Sequence, residues 1–199
     1  SLSARTFAAS LMVLHCVLAP LLLPVRALGF SNMLKSFIAQ GERTIPKGEV
    51  LRSKTLIIVT TPDVLMTNYM LLGRMARHEQ LPRVSHILSA QERGTAVLER
   101  DTESSLIVRN ELGENGGPFG GVYRREPFEA GHKTSLDGVE AEVLETKDGL
   151  LTAARFTFDR PFDEYLFLIW KGAGFVPLEL DVGEKTELQV VSFQEALNQ

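Results

Sequence analysis

One carboxylate, Asp63, stands where α/β proteins often place a functional group. It follows a compact β-branched run, TLIIVTT at residues 55–61, which is typical of a strand buried on both faces. Ligands of α/β sheets bind beyond the carboxyl ends of such strands. However, the chain contains no G-x-S-x-G nucleophile elbow, and a Pro62-Asp63 pair is also typical of a helix start. Asp63 is therefore a weak candidate catalytic residue, and we predict no other.

Three further groups of side chains could carry chemistry, but their spacing favours structural roles. The histidines outside the apolar N-terminal run are His78, His86 and His132. They lack the spacing of metal ligands, so we predict no metal site. On a strand, Ser85 and His86 would point to opposite faces, which excludes a nucleophile–base pair. Glu140 and Glu142 would share one strand face, where paired carboxylates are usually solvated.

A glycine-rich segment, LGENGGPFGG at residues 112–121, has the composition of a phosphate-binding loop but not its pattern. It lacks the Lys-Ser/Thr pair of a P-loop, and its glycines do not follow the first strand as a dinucleotide fingerprint requires. We interpret it as a surface loop and predict no cofactor.

The N-terminal region determines where these residues are placed. Residues 6–25 carry no charged side chain and are long enough for a helix across a bilayer of about 30 Å. Arg5 and Arg26 bracket the run, as snorkelling residues do. A signal peptide ending near Ala27-Leu28-Gly29 and a buried helix of a globular domain are the alternatives. We predict a transmembrane helix over residues 1–27, in which His15 and Cys16 would contact neighbouring helices.

Charge is distributed unevenly along the chain. Residues 1–54 contain seven Lys or Arg and two Asp or Glu, whereas the remainder contains fourteen Lys or Arg and twenty-three Asp or Glu. The acidic part argues against nucleic-acid binding. The basic residues after the apolar run predict a cytoplasmic position for the following segment, and a signal peptide would reverse this orientation.

The segment after the apolar run predicts a juxtamembrane region over residues 28–54. Residues 28–38 carry apolar side chains at helical spacing, which favours a short amphipathic helix at the membrane interface or a first helix packed on the domain. Residues 41–48 (GERTIPKG) contain Pro46 between two glycines, which predicts a linker.

The rest of the chain predicts a globular α+β domain at residues 55–190, followed by a tail at 191–199. A helix after Pro62 carries an apolar stripe of Leu65, Tyr69, Leu72 and Ala76, and a strand at 83–90 would complete a right-handed βαβ unit. Met66, Met70 and Met75 favour core filling over a partner surface. Later segments predict hairpins at 95–110, 139–158 and 165–180. The predicted fold class is an N-terminal transmembrane helix and a small β-rich barrel- or sandwich-like domain with one βαβ unit.

The order of several short motifs resembles one group of proteins. These motifs are VTTPD (59–63), LSA (88–90), VYRR (122–125), GHKTSLDGVEAEV (131–143), ARFTFDRPFD (154–163), WKGAGFVPL (170–178) and VGE (182–184). From Arg5 to about Leu188 the chain resembles the C-terminal end of uncharacterised bacterial multi-pass membrane proteins with a β-rich tail domain. The resemblance implies membrane attachment and further transmembrane spans upstream. It identifies no catalytic residues in this chain.

Together these observations favour a membrane-anchored, non-catalytic accessory or interaction domain. Its expected partners are the lipid bilayer and upstream transmembrane helices of the same protein, whereas the sequence names no protein partner. Two alternatives stay open. One is a membrane-bound hydrolase-like enzyme with a site near the C-terminal end of strand 55–61, and the other is a secreted domain released after a signal peptide.

Overall fold

The structure is a computed structural model that describes residues 2–90, 94–114 and 126–197. It divides into two compact units, Ser1–Phe37 and Ile38–Gln199. The first unit is helical, and the second combines helices with two β-sheets, so the fold is α+β.

The first unit is built from apolar helix. Helix α1 (Leu2–Val13) passes through a π-helical turn (Leu14–Leu18) into α2 (Ala19–Thr44). The N–H of Ala19 donates to the carbonyl of Leu14, five residues back. The wide turn directly precedes Pro20, whose ring has no N–H to continue the ordinary pattern, and such bulges relieve this conflict.

The predicted membrane-spanning character of this region is supported by its length and composition. Within the described residues, one helical stretch, Ala9–Thr44, is long and apolar enough to cross a bilayer, with a mean hydropathy of 2.0 in its most apolar window. No residue of that window is buried. The large side chains at Phe7, Met12, Leu21 and Leu23 are each more than 65% exposed.

The second unit contains two sheets that pack face to face. The strands are β1 (Thr55–Thr61), β2 (Ser85–Ala90), β3 (Thr95–Thr102), β4 (Ser105–Glu114), β5 (Lys133–Leu136), β6 (Val139–Lys147), β7 (Leu150–Phe158), β8 (Tyr165–Lys171), β9 (Gly174–Pro177) and β10 (Lys185–Gln189). The first sheet has the order β2-β1-β8-β9, and the second has the order β10-β3-β4-β7-β6-β5. Neither sheet closes into a barrel. Of the two forms predicted for the domain, the barrel is therefore wrong, and the structure has two open sheets.

The predicted βαβ unit and hairpins are confirmed. Strand β1 pairs in parallel with β2, and helix α4 (Val64–Ala76) connects them. The pairs β3–β4, β6–β7 and β8–β9 are antiparallel. Asp148 and Gly149 both have positive φ at the tip of the β6–β7 hairpin, as the Asp-Gly signal requires. Strand β8 also pairs in parallel with β1, so the first sheet is mixed.

The main core lies between the two sheets. Alternate residues of β1 and β8 point into it because side chains of a strand alternate between its faces. The first sheet supplies Ile57, Val59, Tyr165, Phe167 and Ile169, and the second supplies Leu98, Leu106, Val108, Val139, Ala154, Phe156 and Phe158.

Helices cover the other face of the first sheet, and the segment predicted as a linker at 41–48 is helical up to Thr44 and irregular only over residues 45–48. Helix α2 continues through Gly41 to Thr44, and a short α3 (Glu49–Ser53) follows. A Cβ on Gly41 would lie 2.5 Å from Cε of Met70 and 2.9 Å from the Trp170 ring. Gly41 is therefore a close-packing position rather than a chain breaker. At the C-terminus, the segment predicted as a tail contains a short helix, α5 (Phe193–Leu197).

Helix α4 packs with a different face from the one predicted. Its buried residues are Met66, Thr67, Met70 and Arg74. Tyr69, Leu72 and Met75 are instead 47%, 48% and 54% exposed. Core filling is thus confirmed for two of the three methionines. The apolar stripe of Leu65, Tyr69, Leu72 and Ala76 did not identify the buried face, because a buried arginine and threonine hold the helix in another rotation.

Candidate functional site

Asp63, the predicted weak catalytic candidate, is a helix-capping residue. Its side chain is 1% exposed, and Oδ1 accepts a hydrogen bond of 2.8 Å from the backbone N–H of Met66. The backbone carbonyl of Asp63 accepts a second bond of 2.7 Å from Oγ1 of Thr67. This is the N-cap arrangement, in which the carboxylate satisfies a free N–H and stabilises the positive helix end.

The surroundings of this cap hold little space for a ligand. A cavity at the C-terminal end of β1 is lined by Thr60, Thr61, Pro62 and Trp170, among others, and has a volume of about 10 Å³. That is roughly the room needed by one water molecule. The geometry favours the capping role of Asp63 over catalysis.

The other chemistry-bearing residues are separated in the structure. His78 and His132 are exposed, and His86 lies on β2 with a buried Nε2 that has no hydrogen-bond partner in the described ranges. Glu140 and Glu142 share a face of β6, where Lys133 forms ion pairs of 3.2 and 3.7 Å with them. Across residues 2–90, 94–114 and 126–197, no three His, Cys, Asp or Glu side chains are arranged to hold a metal ion. Most of the predicted glycine-rich loop lies outside the described residues.

A larger concave surface lies at the opposite end of the first sheet. It is a groove of about 1020 Å³ beside Lys54, which precedes β1, and Tyr165, which begins β8. We call it the aromatic groove after four rings that line it, Phe158, Phe162, Tyr165 and Phe167.

The rings of the aromatic groove pack on one another in fixed geometry. Phe162 stacks on Phe167 with ring centroids 4.1 Å apart and planes inclined by 21°. Phe158 meets Phe167 edge to face at 5.2 Å. The 3-10 turn Phe162–Glu164 after Pro161 places Phe162 at this position. Such pairs hold the floor of the groove rigid.

Two arginines pack against this floor through their planar guanidinium groups. The Arg100 guanidinium lies 4.1 Å from the Phe162 ring centroid, and the Arg160 guanidinium lies 4.9 Å from that of Tyr165. Both distances are within cation–π range. Arg100 also donates through Nη1 to the carbonyl of Leu180 at 3.0 Å. Its Nε is buried and has no hydrogen-bond partner within the described part of the chain.

Asp159, Arg160 and Tyr165 form a connected polar group at one side of the groove. The Tyr165 hydroxyl donates to Oδ1 of Asp159 at 2.8 Å, and Nη2 of Arg160 donates to Oγ1 of Thr55 at 2.7 Å. Burial, followed by the hydrogen bond to Asp159, raises the pKa of Tyr165 above its ordinary value. At neutral pH the hydroxyl is therefore protonated and acts as a donor.

Gly138 provides the space that this group needs. Its φ is +84°, and a Cβ there would lie 2.6 Å from Oδ1 of Asp159. The tight turn between β5 and β6 thus requires glycine for its backbone conformation and for the approach of the carboxylate.

The rim of the groove is predominantly acidic. Its lining includes three basic residues, Lys54, Arg100 and Arg160, and five acidic ones, Glu103, Asp159, Asp163, Glu179 and Asp181. Arg160 forms ion pairs with Asp159 at 3.5 Å and with Glu164 at 3.6 Å. The surface therefore offers rigid aromatic rings and excess negative charge, a combination that suits binding of basic groups.

The sequence did not indicate the aromatic groove because its residues come from four separate segments. They lie at residue 54, at 100–104, at 158–167 and at 177–182. The alternation of Phe156 and Phe158 was visible along β7, but only the packing of the two sheets brings the rings of β8 beside Phe158.

Comparisons with known proteins add no family to this description. No protein-family model, curated protein or solved structure matches the chain. The resemblance to bacterial multi-pass membrane proteins remains a prediction.

Proposed function

We propose that this chain is a membrane-anchored domain that acts by binding rather than by catalysis. The observation that carries the proposal is the run of exposed apolar side chains on a helix long enough to cross a bilayer. Such a surface is costly in water and stable in lipid. We further propose that the membrane is a bacterial cell membrane and that the second unit lies on its cytoplasmic side. The basic residues that follow the apolar helix favour this orientation.

The aromatic groove supports a binding role for the second unit. Its polar side chains are engaged in contacts that fix their positions, such as Tyr165 with Asp159 and Arg160 with Thr55. A raised Tyr165 pKa favours a hydrogen-bond donor over a base at neutral pH. The acidic rim favours a partner that presents basic side chains.

The apolar helix has its own partners under this proposal. Lipid would surround most of it, and neighbouring transmembrane helices of the same protein would contact its polar positions. His15 is such a position, with Nδ1 3.1 Å from the carbonyl oxygen of Leu11. Polar residues inside membranes usually face other helices or cavities.

A charge placed in the apolar helix tests the anchor. Leu14→Arg is expected to release the full chain from membranes during alkaline extraction, because an arginine at the helix centre costs about 3 kcal/mol of insertion free energy. Leu136→Arg, at an exposed position of β5, is the matched control and should leave the chain in the membrane pellet. Full retention of the Leu14→Arg chain would contradict the anchor.

Photo-crosslinking tests the groove. A benzophenone amino acid at position 163, on the groove rim, is expected to form an adduct in intact membranes, whereas one at position 136 is not. Reversing the rim charge with Glu179→Lys and Asp181→Lys should reduce that adduct, because the partner is expected to be basic. An adduct equally strong at both positions and insensitive to rim charge would contradict a binding role for the groove.

A further inference from the structure

The exposed face of helix α4 is unusually apolar for a surface. Tyr69, Leu72 and Met75 each expose about half of their surface, and they follow one another at spacings of three residues, so they lie on one side of the helix. The opposite side is buried through Met66, Met70 and Arg74. We call the three exposed residues the α4 face.

The α4 face belongs to the layer that receives the end of helix α2. Nη2 of Arg74 donates to the carbonyls of Glu42 at 3.0 Å and of Ile45 at 2.9 Å, and Arg77 forms an ion pair with the Glu42 carboxylate. Helix α4 therefore packs beside residues 42–45, the part of the domain that comes first after the apolar helix along the chain.

Charge is distributed unevenly between the part of the domain that contains this helical layer and the strands that follow it. Residues 38–83, which hold the helical layer and strand β1, contain seven Lys or Arg and four Asp or Glu, a net charge of +3. Residues 84–199 contain eleven Lys or Arg and twenty-one Asp or Glu, a net charge of -10. Arg43, Lys47, Arg52 and Arg83 are exposed on the basic side. An anionic bilayer would attract the helical layer and repel the sheets.

We propose that the α4 face lies against the headgroup region of an anionic lipid bilayer, with the exposed side chains of Arg43, Lys47, Arg52 and Arg83 facing anionic headgroups. Tyrosine is enriched at membrane interfaces, and leucine and methionine side chains can enter the acyl boundary while flanking basic residues stay in the headgroups. The inference rests on the proposed membrane anchor and adds a second, peripheral contact that fixes which side of the domain meets the lipid.

Depth-dependent fluorescence quenching on the full chain tests this contact. Cys16 is the only cysteine, so a Cys16→Ser background permits single labels at three positions. Leu72→Cys reports on the α4 face, Leu21→Cys reports on the anchor, and Leu136→Cys on the acidic second sheet is the matched control. Vesicles contain either pure phosphatidylcholine or a mixture with phosphatidylglycerol, and nitroxide lipids serve as quenchers.

The expected result is headgroup-nitroxide quenching at position 72 in phosphatidylglycerol vesicles, with none above background at position 136. Arg43→Gln and Lys47→Gln should each lower the ratio of docked to undocked domain by about fivefold, whereas Lys147→Gln should not. Tyr69→Ser combined with Met75→Ser should reduce quenching at position 72 to the level of position 136.

Three results would overturn the proposal and locate the failure. Acyl-chain quenching at position 21 without headgroup quenching at position 72 would leave the anchor intact and exclude the α4 contact. A label at 72 shielded from aqueous iodide but not quenched by lipid would show that protein covers the face instead. Loss of quenching at position 21 as well would remove the anchor itself and, with it, the basis of the inference.

Discussion

At the residue scale, one buried arginine fixes the segment that the sequence predicted to be a linker. Arg74 is 1% exposed and bonds to the carbonyls of Glu42, Ile45 and Pro46. These carbonyls lie at the end of α2, where a helix has unpaired acceptors and partial negative charge. Burial lowers the pKa of Arg74, and nearby Glu42 opposes that shift.

Replacing Arg74 tests this role. Arg74→Met should lower the free energy of unfolding by about 3 kcal/mol, because it leaves several buried acceptors without a donor. Arg74→Lys should recover only part of the loss, since an ammonium lacks the planar fork that reaches several carbonyls. Denaturant unfolding of the full chain in detergent, followed by Trp170 fluorescence, provides the measurement. Arg77→Met, at an exposed ion pair, should cost much less; equal losses would refute the special role of Arg74.

Tyr165 gives a second prediction at the residue scale, which concerns the stability of the fold in alkaline solution. Its folded-state pKa is raised above the unfolded value, so the protonated hydroxyl stabilises the fold fully below the unfolded pKa of about 10. That stability is lost as pH rises through the folded-state pKa. An absorbance titration of phenolate should show a late-titrating phase, and Tyr165→Phe should remove that phase. A late phase that persists in Tyr165→Phe would assign it to another tyrosine.

At the scale of elements, helix α2 contains two glycines with opposite roles. Gly41 packs against Met70 and Trp170, whereas no atom lies within 4 Å of a Cβ built on Gly29. Both positions are helical, so alanine would improve the local helix propensity by about 1 kcal/mol at each. Only at Gly41 would the methyl group also overpack a rigid ring.

Alanine at these two glycines is expected to change the stability of the protein differently. Gly41→Ala should destabilise the second unit, because overpacking costs about 1–3 kcal/mol and outweighs the propensity gain. Gly29→Ala should be neutral or stabilising. Thermal unfolding monitored by near-ultraviolet circular dichroism would compare them. Equal stability of the two variants would show that the domain does not need close approach of α2 at residue 41.

At the scale of the whole molecule, the compact unit begins before the predicted globular domain. The second unit starts at Ile38, and buried Ile45 and Leu51 lie in the segment interpreted as juxtamembrane. Thr44 also accepts a hydrogen bond of 2.8 Å from the N–H of Phe175 in β9. The end of α2 is therefore part of the folded domain.

Truncation distinguishes these two boundaries. A chain starting at residue 38 should retain the near-ultraviolet dichroism of the full protein, whereas one starting at 47 should lose it and bind a hydrophobic dye. The reason is that the shorter chain lacks the helical cover over Met70 and Trp170 and the acceptors of Arg74. Identical spectra for the two truncated chains would support the predicted boundary at residue 55 instead.

The sequence by itself determined the local features of this protein. Uninterrupted apolar character indicated the helix at 6–25, β-branched residues indicated β1, and the Asp-Gly pair placed the β6–β7 turn, because each depends on neighbouring residues only. Charge asymmetry was likewise readable from the chain, although its division between a basic helical layer and acidic sheets required the fold.

Tertiary structure alone decided which surfaces became core and which became site. The apolar stripe on α4 could have faced either way, and buried Arg74 with Met70 against Gly41 selected the rotation. The aromatic groove needed the parallel pairing of β8 with β1 and the packing of two sheets. Contacts between residues a hundred positions apart, such as Arg160 with Thr55, leave no periodic signal in a sequence, because their geometry exists only after the chain has folded.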